Sequence, residues 1–183
     1  QIPTDWSVDG RFLVYDINRG SAKNDLYVLP VSPPQPPQPF LETPANETQG
    51  QFSPDARWIA YTSNESGTYE VYVRRFPGAG SKWQVSTSGG AQPRWRGDGK
   101  ELFYLAPDGR LMAADVKATD TGLETATPRA LLNTGITASF VNRRNQYVVT
   151  RDGQRFLVNI SAEDENSAPI TVVLNWPRKL KKP

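Results

Sequence analysis

Residues 51–61 read QFSPDARWIAY, and three other stretches align with them without a gap: 5–15 (DWSVDGRFLVY), 94–104 (RWRGDGKELFY) and 148–158 (VVTRDGQRFLV). The second place is always large and apolar, as Trp6, Phe52, Trp95 or Val149. The fifth is always aspartate, as Asp9, Asp55, Asp98 and Asp152, and the sixth is Gly10, Ala56, Gly99 or Gly153. The closing places are apolar or aromatic and end in Tyr15, Tyr61, Tyr104 and Val158. An Asp-Gly pair between two apolar runs signals a hairpin, because glycine accepts positive φ and aspartate bonds back to nearby backbone. The runs after the turn are too short and too rich in β-formers for a helix. Alanine at 56 predicts a turn of another type, or a strained one.

Outward from each hairpin, a third strand is expected at 25–28 (DLYV), 70–73 (EVYV), 110–113 (RLMA) and 170–173 (ITVV). Polar loops at 18–24, 63–68, 107–109 and 162–169 lead into them. A fourth, more polar strand is expected at 40–42, 83–86 and 130–132, where its polarity suits an outer edge. The aspartate column repeats at spacings of 46, 43 and 54 residues. Four strands per unit at a period of roughly 40–50 residues is the pattern of a propeller blade. The expectation is therefore an all-β propeller domain over 1–183, with blades near 3–48, 49–91, 92–138 and 139–176 and a basic tail at 177–183.

No outer strand precedes that tail in the fourth unit, and residues 1–3 are too short to supply one. The reading is a partial propeller: the end of a larger ring, a four-bladed ring with one thin blade, or a ring shared by two chains. Open blade edges make self-association an expectation, since unpaired strand edges and exposed apolar faces seek partners.

Composition narrows the chemistry. With 37% apolar residues, 10% aromatics, 14 Gly and 16 Pro, the chain suits many short half-buried strands joined by frequent turns. A net charge of +2, much of it in Arg178, Lys179, Lys181 and Lys182, does not argue for nucleic acid. No apolar run is long enough to span a bilayer, and no signal-peptide pattern begins at Gln1. There is neither cysteine nor histidine, which removes disulfides, the Ser-His-Asp triad, the Cys-His pair and histidine-bearing zinc sites from this chain.

The stretch Phe52-Ser53-Pro54-Asp55 followed by Arg57-Trp58-Ile59-Ala60-Tyr61 resembles the TolB-like propeller repeat, and Trp6-Ser7-Val8-Asp9-Gly10 comes close to it. The third and fourth units depart from it, with Arg96-Gly97 and Thr150-Arg151 in place of Ser-Pro, and rest on periodicity. Residues 52–76, 90–105 and 170–176 are similar to the C-terminal propeller of bacterial proteins that join a Ser/Thr kinase domain to TolB-like repeats. The chain has no kinase glycine loop, His-Arg-Asp or Asp-Phe-Gly, so no kinase activity carries over. The resemblance implies a sensory or interaction module in signalling or envelope assembly, placed in the periplasm or otherwise outside the cytoplasm. Alternatives are the gating propeller of a prolyl oligopeptidase-type hydrolase, or a carbohydrate-active propeller.

Asp9, Asp55, Asp98 and Asp152 are assigned to blade turns instead of a catalytic or metal-binding set, since each lies in its own repeat. The first-place residues Asp5, Gln51 and Arg94, with Arg96 at a third place, are the candidates for lining a central channel, the two arginines as anion contacts. No cofactor, metal or catalytic residue is assigned, and the protein or small-ligand partner is left unnamed. The stretch 32–39 (SPPQPPQP) reads as an extended loop, and 78–82 (GAGSK) lacks the spacing and following helix of a phosphate loop.

Overall fold

Each of the four aligned stretches folds as strand, turn, strand in the computed structural model, which describes residues 1–20, 23–78, 80–119, 122–136 and 145–160, with the backbone of 170–173. The first sheet runs in chain order through β1 (Ile2–Trp6), β2 (Phe12–Asn18), β3 (Asn24–Pro30) and β4 (Gln38–Leu41). The second repeats this with β5 (Glu47–Phe52), β6 (Trp58–Ser63), β7 (Glu70–Arg75) and β8 (Lys82–Gln84). All pairings are antiparallel. The 32–39 stretch is the connection from β3 into β4, and no helix follows residues 78–82.

The third sheet holds β9 (Ala91–Trp95), β10 (Glu101–Leu105), β11 (Arg110–Ala118), β12 (Leu123–Thr125) and β13 (Arg129–Asn133). It corrects the four-strand expectation. The nine-residue β11 outruns its five-residue partner β10, so its first half pairs with β13 and its second half folds back onto β12. The fourth sheet has β14 (Tyr147–Val149), β15 (Phe156–Asn159) and β16 (Ile170–Val173). The 162–169 loop and the 177–183 tail lie outside the described residues.

One hydrogen-bond pattern builds all four turns. The third-place N–H donates to the carbonyl beyond the turn and the sixth-place N–H donates back, as in Ser53 to Trp58 and Ala56 to Ser53, both at 2.8 Å. The sixth place is left-handed throughout, with φ of 73° at Gly10, 71° at Gly99, 72° at Gly153 and 53° at Ala56. The turn at Ala56 is thus of the same type as the others, held by alanine in a region that L-residues disfavour.

Side chains reinforce it. The Ser53 hydroxyl donates to Asp55 Oδ1 at 2.6 Å and accepts the Trp58 N–H at 3.0 Å, while Asp55 accepts the Arg57 N–H at 3.1 Å. Ser7 with Asp9 and Thr150 with Asp152 repeat the device. In the third blade Arg96 replaces the hydroxyl and clamps Asp98 through Nε at 2.7 Å and Nη2 at 2.9 Å. Donors of this kind favour the ionised form, so Asp9 is drawn down to about 2, and Asp98 and Asp152 also lie below the usual carboxylate range.

Alternation then divides each hairpin between two neighbours. Val14, Leu26 and Val28 of the first blade meet Phe52, Ile59 and Tyr61 of the second. Trp58, Ala60 and Val71 meet Leu102 and Tyr104 of the third, and Phe103 and Leu105 meet Tyr147, Phe156 and Val158 of the fourth. These three clusters join consecutive blades and none joins the fourth to the first, so the described blades form an open arc. Trp6 and Val8 stand exposed at one end of it, Val148 and Leu157 at the other.

A hydrogen-bond chain also runs from blade to blade. The Gln49 N–H donates to Asp16 Oδ1 at 3.2 Å, the Gln92 N–H to Gln49 Oε1 at 2.9 Å, and the Gln146 N–H to Gln92 Oε1 at 2.7 Å. Gln49 and Gln92 reach this geometry from left-handed φ of 61° and 57° within the bulges of β5 and β9. Backbone strain of about 1 kcal/mol each is offset by satisfying buried amides that would otherwise cost at least as much.

Candidate functional site

The inner strands β1, β5, β9 and β14 converge on the concave side of the arc. Asp5, Gln51, Arg94 and Val148 occupy the first place of each repeat, and all four line one concavity of about 470 Å³. Trp6, Trp95 and Arg151 complete its walls. Bulges in β1, β5 and β9 lie just before the first-place residues, where the extra residue bends the strand.

Hydrogen bonding inside the concavity is uneven. Asp5 Oδ2 accepts the Phe52 N–H at 2.8 Å. Gln51 Nε2 donates to the Thr4 and Gly50 carbonyls at 2.7 and 3.0 Å, and Trp95 Nε1 donates to the Gln51 carbonyl at 3.2 Å. These contacts hold Asp5, Gln51 and Trp95 in place. Arg94 is different: its guanidinium makes a 3.3 Å bond to the Pro93 carbonyl and, among the described residues, no ion pair.

Burial pulls Arg94 below the ordinary guanidinium range, with Tyr147 and Asp5 acting the other way. It remains charged at neutral pH because that range is so high. Burial likewise raises the Asp5 carboxyl, against the Phe52 and Trp6 N–H groups and the Arg94 charge, which lower it. A half-buried cation with no ion pair among the described residues, in a concavity also lined by two indoles, is suited to receiving an anionic group.

Arg96 does not join this set. Two of its nitrogens hold Asp98, and Nη1 donates to Glu101 Oε2 at 2.8 Å. Its place falls in the turn, one residue past the end of β9, so it serves the hairpin and not the concavity. The aspartate column is also dispersed: Asp9, Asp55, Asp98 and Asp152 each serve their own turn. No cluster of carboxylates capable of holding a metal ion forms among the described residues. The glutamines at 49, 92 and 146 were missed in the sequence, although a glutamine two places before the first in three of four copies was there to be seen.

Comparison with solved structures gives the arrangement its relatives. TolB from Acinetobacter baumannii superposes with a TM-score of 0.65 at 17% identity, over 94% of this chain and 40% of that one. The fold is a TolB-like β-propeller. A putative TolB from Agrobacterium tumefaciens is similar at a TM-score of 0.62 and 15% identity, over 91% of this chain and 58% of that one. A prolyl endopeptidase is similar at 0.53 and 13%, over 86% of this chain and 25% of that one. The chain thus spans less than two thirds of each of these proteins, and TolB-like propellers stand beside an enzyme's propeller among them. No family model matches the sequence, and no curated protein matches it. No helix among the described residues is long and apolar enough to cross a membrane.

Proposed function

We propose that this chain is a non-catalytic binding module whose inner-strand concavity holds an anionic group of a protein or small-molecule partner. The observation that carries the reading is Arg94, a half-buried guanidinium in a walled concavity without an ion-pair partner among the described residues. Contrast with Arg96, three of whose nitrogens hold carboxylates, leaves Arg94 with capacity for a ligand, and the exposed Arg151 adds a second positive charge to the same concavity. Gln51 supplies polar positioning, and Trp6 and Trp95 supply flat apolar walls. The turn aspartates take no chemical role in this reading.

A place in a bacterial signalling or envelope protein, outside the cytoplasm, accords with the TolB-like fold, and fractionation of the native host with an antibody to the chain tests it. The gating propeller of a larger hydrolase is the second reading, supported by the prolyl endopeptidase likeness. That role needs an open passage and no bound anion. Titration with inorganic phosphate and with acetate, followed by tryptophan fluorescence, separates the two. Binding that disappears in Arg94→Gln while the fold persists supports the anion site; no response in the parent protein overturns it.

A further inference from the structure

The hairpin that β11 and β12 add to the third blade has no counterpart in the first and second sheets. It packs onto the second blade. A Cβ at Gly122 would lie 2.5 Å from the Trp83 ring of β8, so a larger residue there would push the hairpin away. Trp83 in turn stands edge-on to Trp58, with ring centroids 5.3 Å apart at 82°, and Val116 and Leu123 of the hairpin join the same apolar cluster.

So placed, the hairpin walls a second cavity, of about 760 Å³, between the turns of the second and third blades. It borders the Arg94 concavity at Pro54, Trp95, Gly97 and Arg151, but Arg94 does not line it. Small-molecule sites usually enclose about 300–1,000 Å³ and combine an apolar lining with a few polar groups. Here the apolar lining is Trp58, Trp95, Val116 and Leu123.

The charged groups around it are unequal. Both oxygens of Asp98 already accept from Arg96, and Asp55 Oδ1 accepts from the Ser53 hydroxyl and the Arg57 N–H. The cations are freer. Among the described residues Lys100 and Arg151 make no ion pair, and Lys117 reaches Glu124 at 3.5 Å with both side chains exposed. The buried Trp58 adds an indole N–H that has no acceptor among the described residues.

We propose that this cavity binds an anionic ring compound, its ring packed on the indoles and its carboxylate or phosphate held by Lys100 and Lys117. Positive charge in excess beside an aromatic lining selects for both features at once: the ring excludes water from the indoles, and the anion gives the lysines charge-assisted hydrogen bonds. Aromatic acids and acidic sugars share this chemistry, an apolar ring face that carries an anion. The site is separate from the Arg94 site and does not depend on it.

Titration calorimetry on the full chain tests this with 2-naphthoate and with glucuronate, beside the neutral 2-naphthylmethanol and glucose. At least one acid should bind at millimolar concentration or below, and its neutral counterpart should bind at least tenfold more weakly; whichever acid binds names the source. The double variant Lys100→Glu, Lys117→Glu should lose at least roughly tenfold in affinity, the scale of one charge-assisted hydrogen bond. Both lysines are exposed, so its near-UV spectrum should match the parent's; should it fail to fold, Lys117→Gln replaces it. Arg94→Gln should leave this binding unchanged while abolishing that of phosphate and acetate, so the two sites fail independently. No heat from either acid overturns the proposal. Equal binding of the neutral compound overturns it in favour of a merely apolar groove, and loss in Arg94→Gln overturns it by moving the ligand to the central concavity.

Discussion

Replacing Ser53 by alanine removes one oxygen and should cost about 2 kcal/mol of folding stability. The Ser53 hydroxyl is the acceptor for the Trp58 N–H at 3.0 Å, and both residues are buried, so water cannot take its place. An amide left without an acceptor in that setting costs about 1–3 kcal/mol. The lost bond to Asp55 adds little, because Asp55 is exposed and keeps the Arg57 N–H. The repeat supplies a matched comparison. Thr150 accepts the Arg155 N–H at 3.1 Å in the same turn, but Arg155 and Asp152 are exposed, so water replaces the hydroxyl and Thr150→Ala should cost about 0.5–1 kcal/mol. Urea unfolding followed by tryptophan fluorescence reads both. Equal losses in the two variants, or a Ser53→Ala loss below about 0.5 kcal/mol, would refute the claim that burial of the N–H sets the cost.

Three further outcomes follow from the same geometry. Ala56→Gly relieves a left-handed alanine, and after the extra chain entropy of glycine it should raise stability by up to about 1 kcal/mol in the same urea assay; a clear loss would contradict it. Gln92→Ala removes both side-chain bonds between the third and fourth blades, so hydrogen exchange at the Gln146 amide should accelerate well ahead of amides in β6. For pH, a carboxyl raised by burial is disfavoured when ionised: Asp5 costs stability as pH rises through its raised value, above about 3.9 where the unfolded chain titrates. Asp5→Asn should therefore flatten the rise in unfolding on going from pH 4 upward and remove any strengthening of anion binding at low pH. Asp9, Asp98 and Asp152 act oppositely: Asp9, drawn down to about 2, stabilises above the unfolded value and loses that contribution as pH falls towards 2. Melting temperatures taken from pH 6 to pH 2 distinguish the two groups.

Local chemistry was the legible part. Asp-Gly turns, β-rich runs and a recurring spacing act over a few residues, and they sufficed for four hairpins, their third strands and the propeller fold. An aspartate beside a left-handed residue finds its partners within a few residues, and Asp9, Asp55, Asp98 and Asp152 each accept the backbone N–H two places on. Side-chain roles that depend on another blade were less legible. Arg94 and Arg96 are two residues apart, yet one ends in the concavity and the other in a clamp, since the strand stops between them and Glu101 and Asp98 lie within reach of only the second.

What the amino-acid sequence determined by itself is therefore the blade: its turn, its alternation and its order of strands, all set by interactions between near neighbours in the chain. Tertiary structure decided the rest. It turned three glutamines into a hydrogen-bond chain and brought Asp5, Gln51 and Arg94 to one concavity across nearly ninety residues. Such features arise where two blades meet, and the angle between blades comes from sheet twist and side-chain packing summed over whole faces, which no single stretch of sequence encodes.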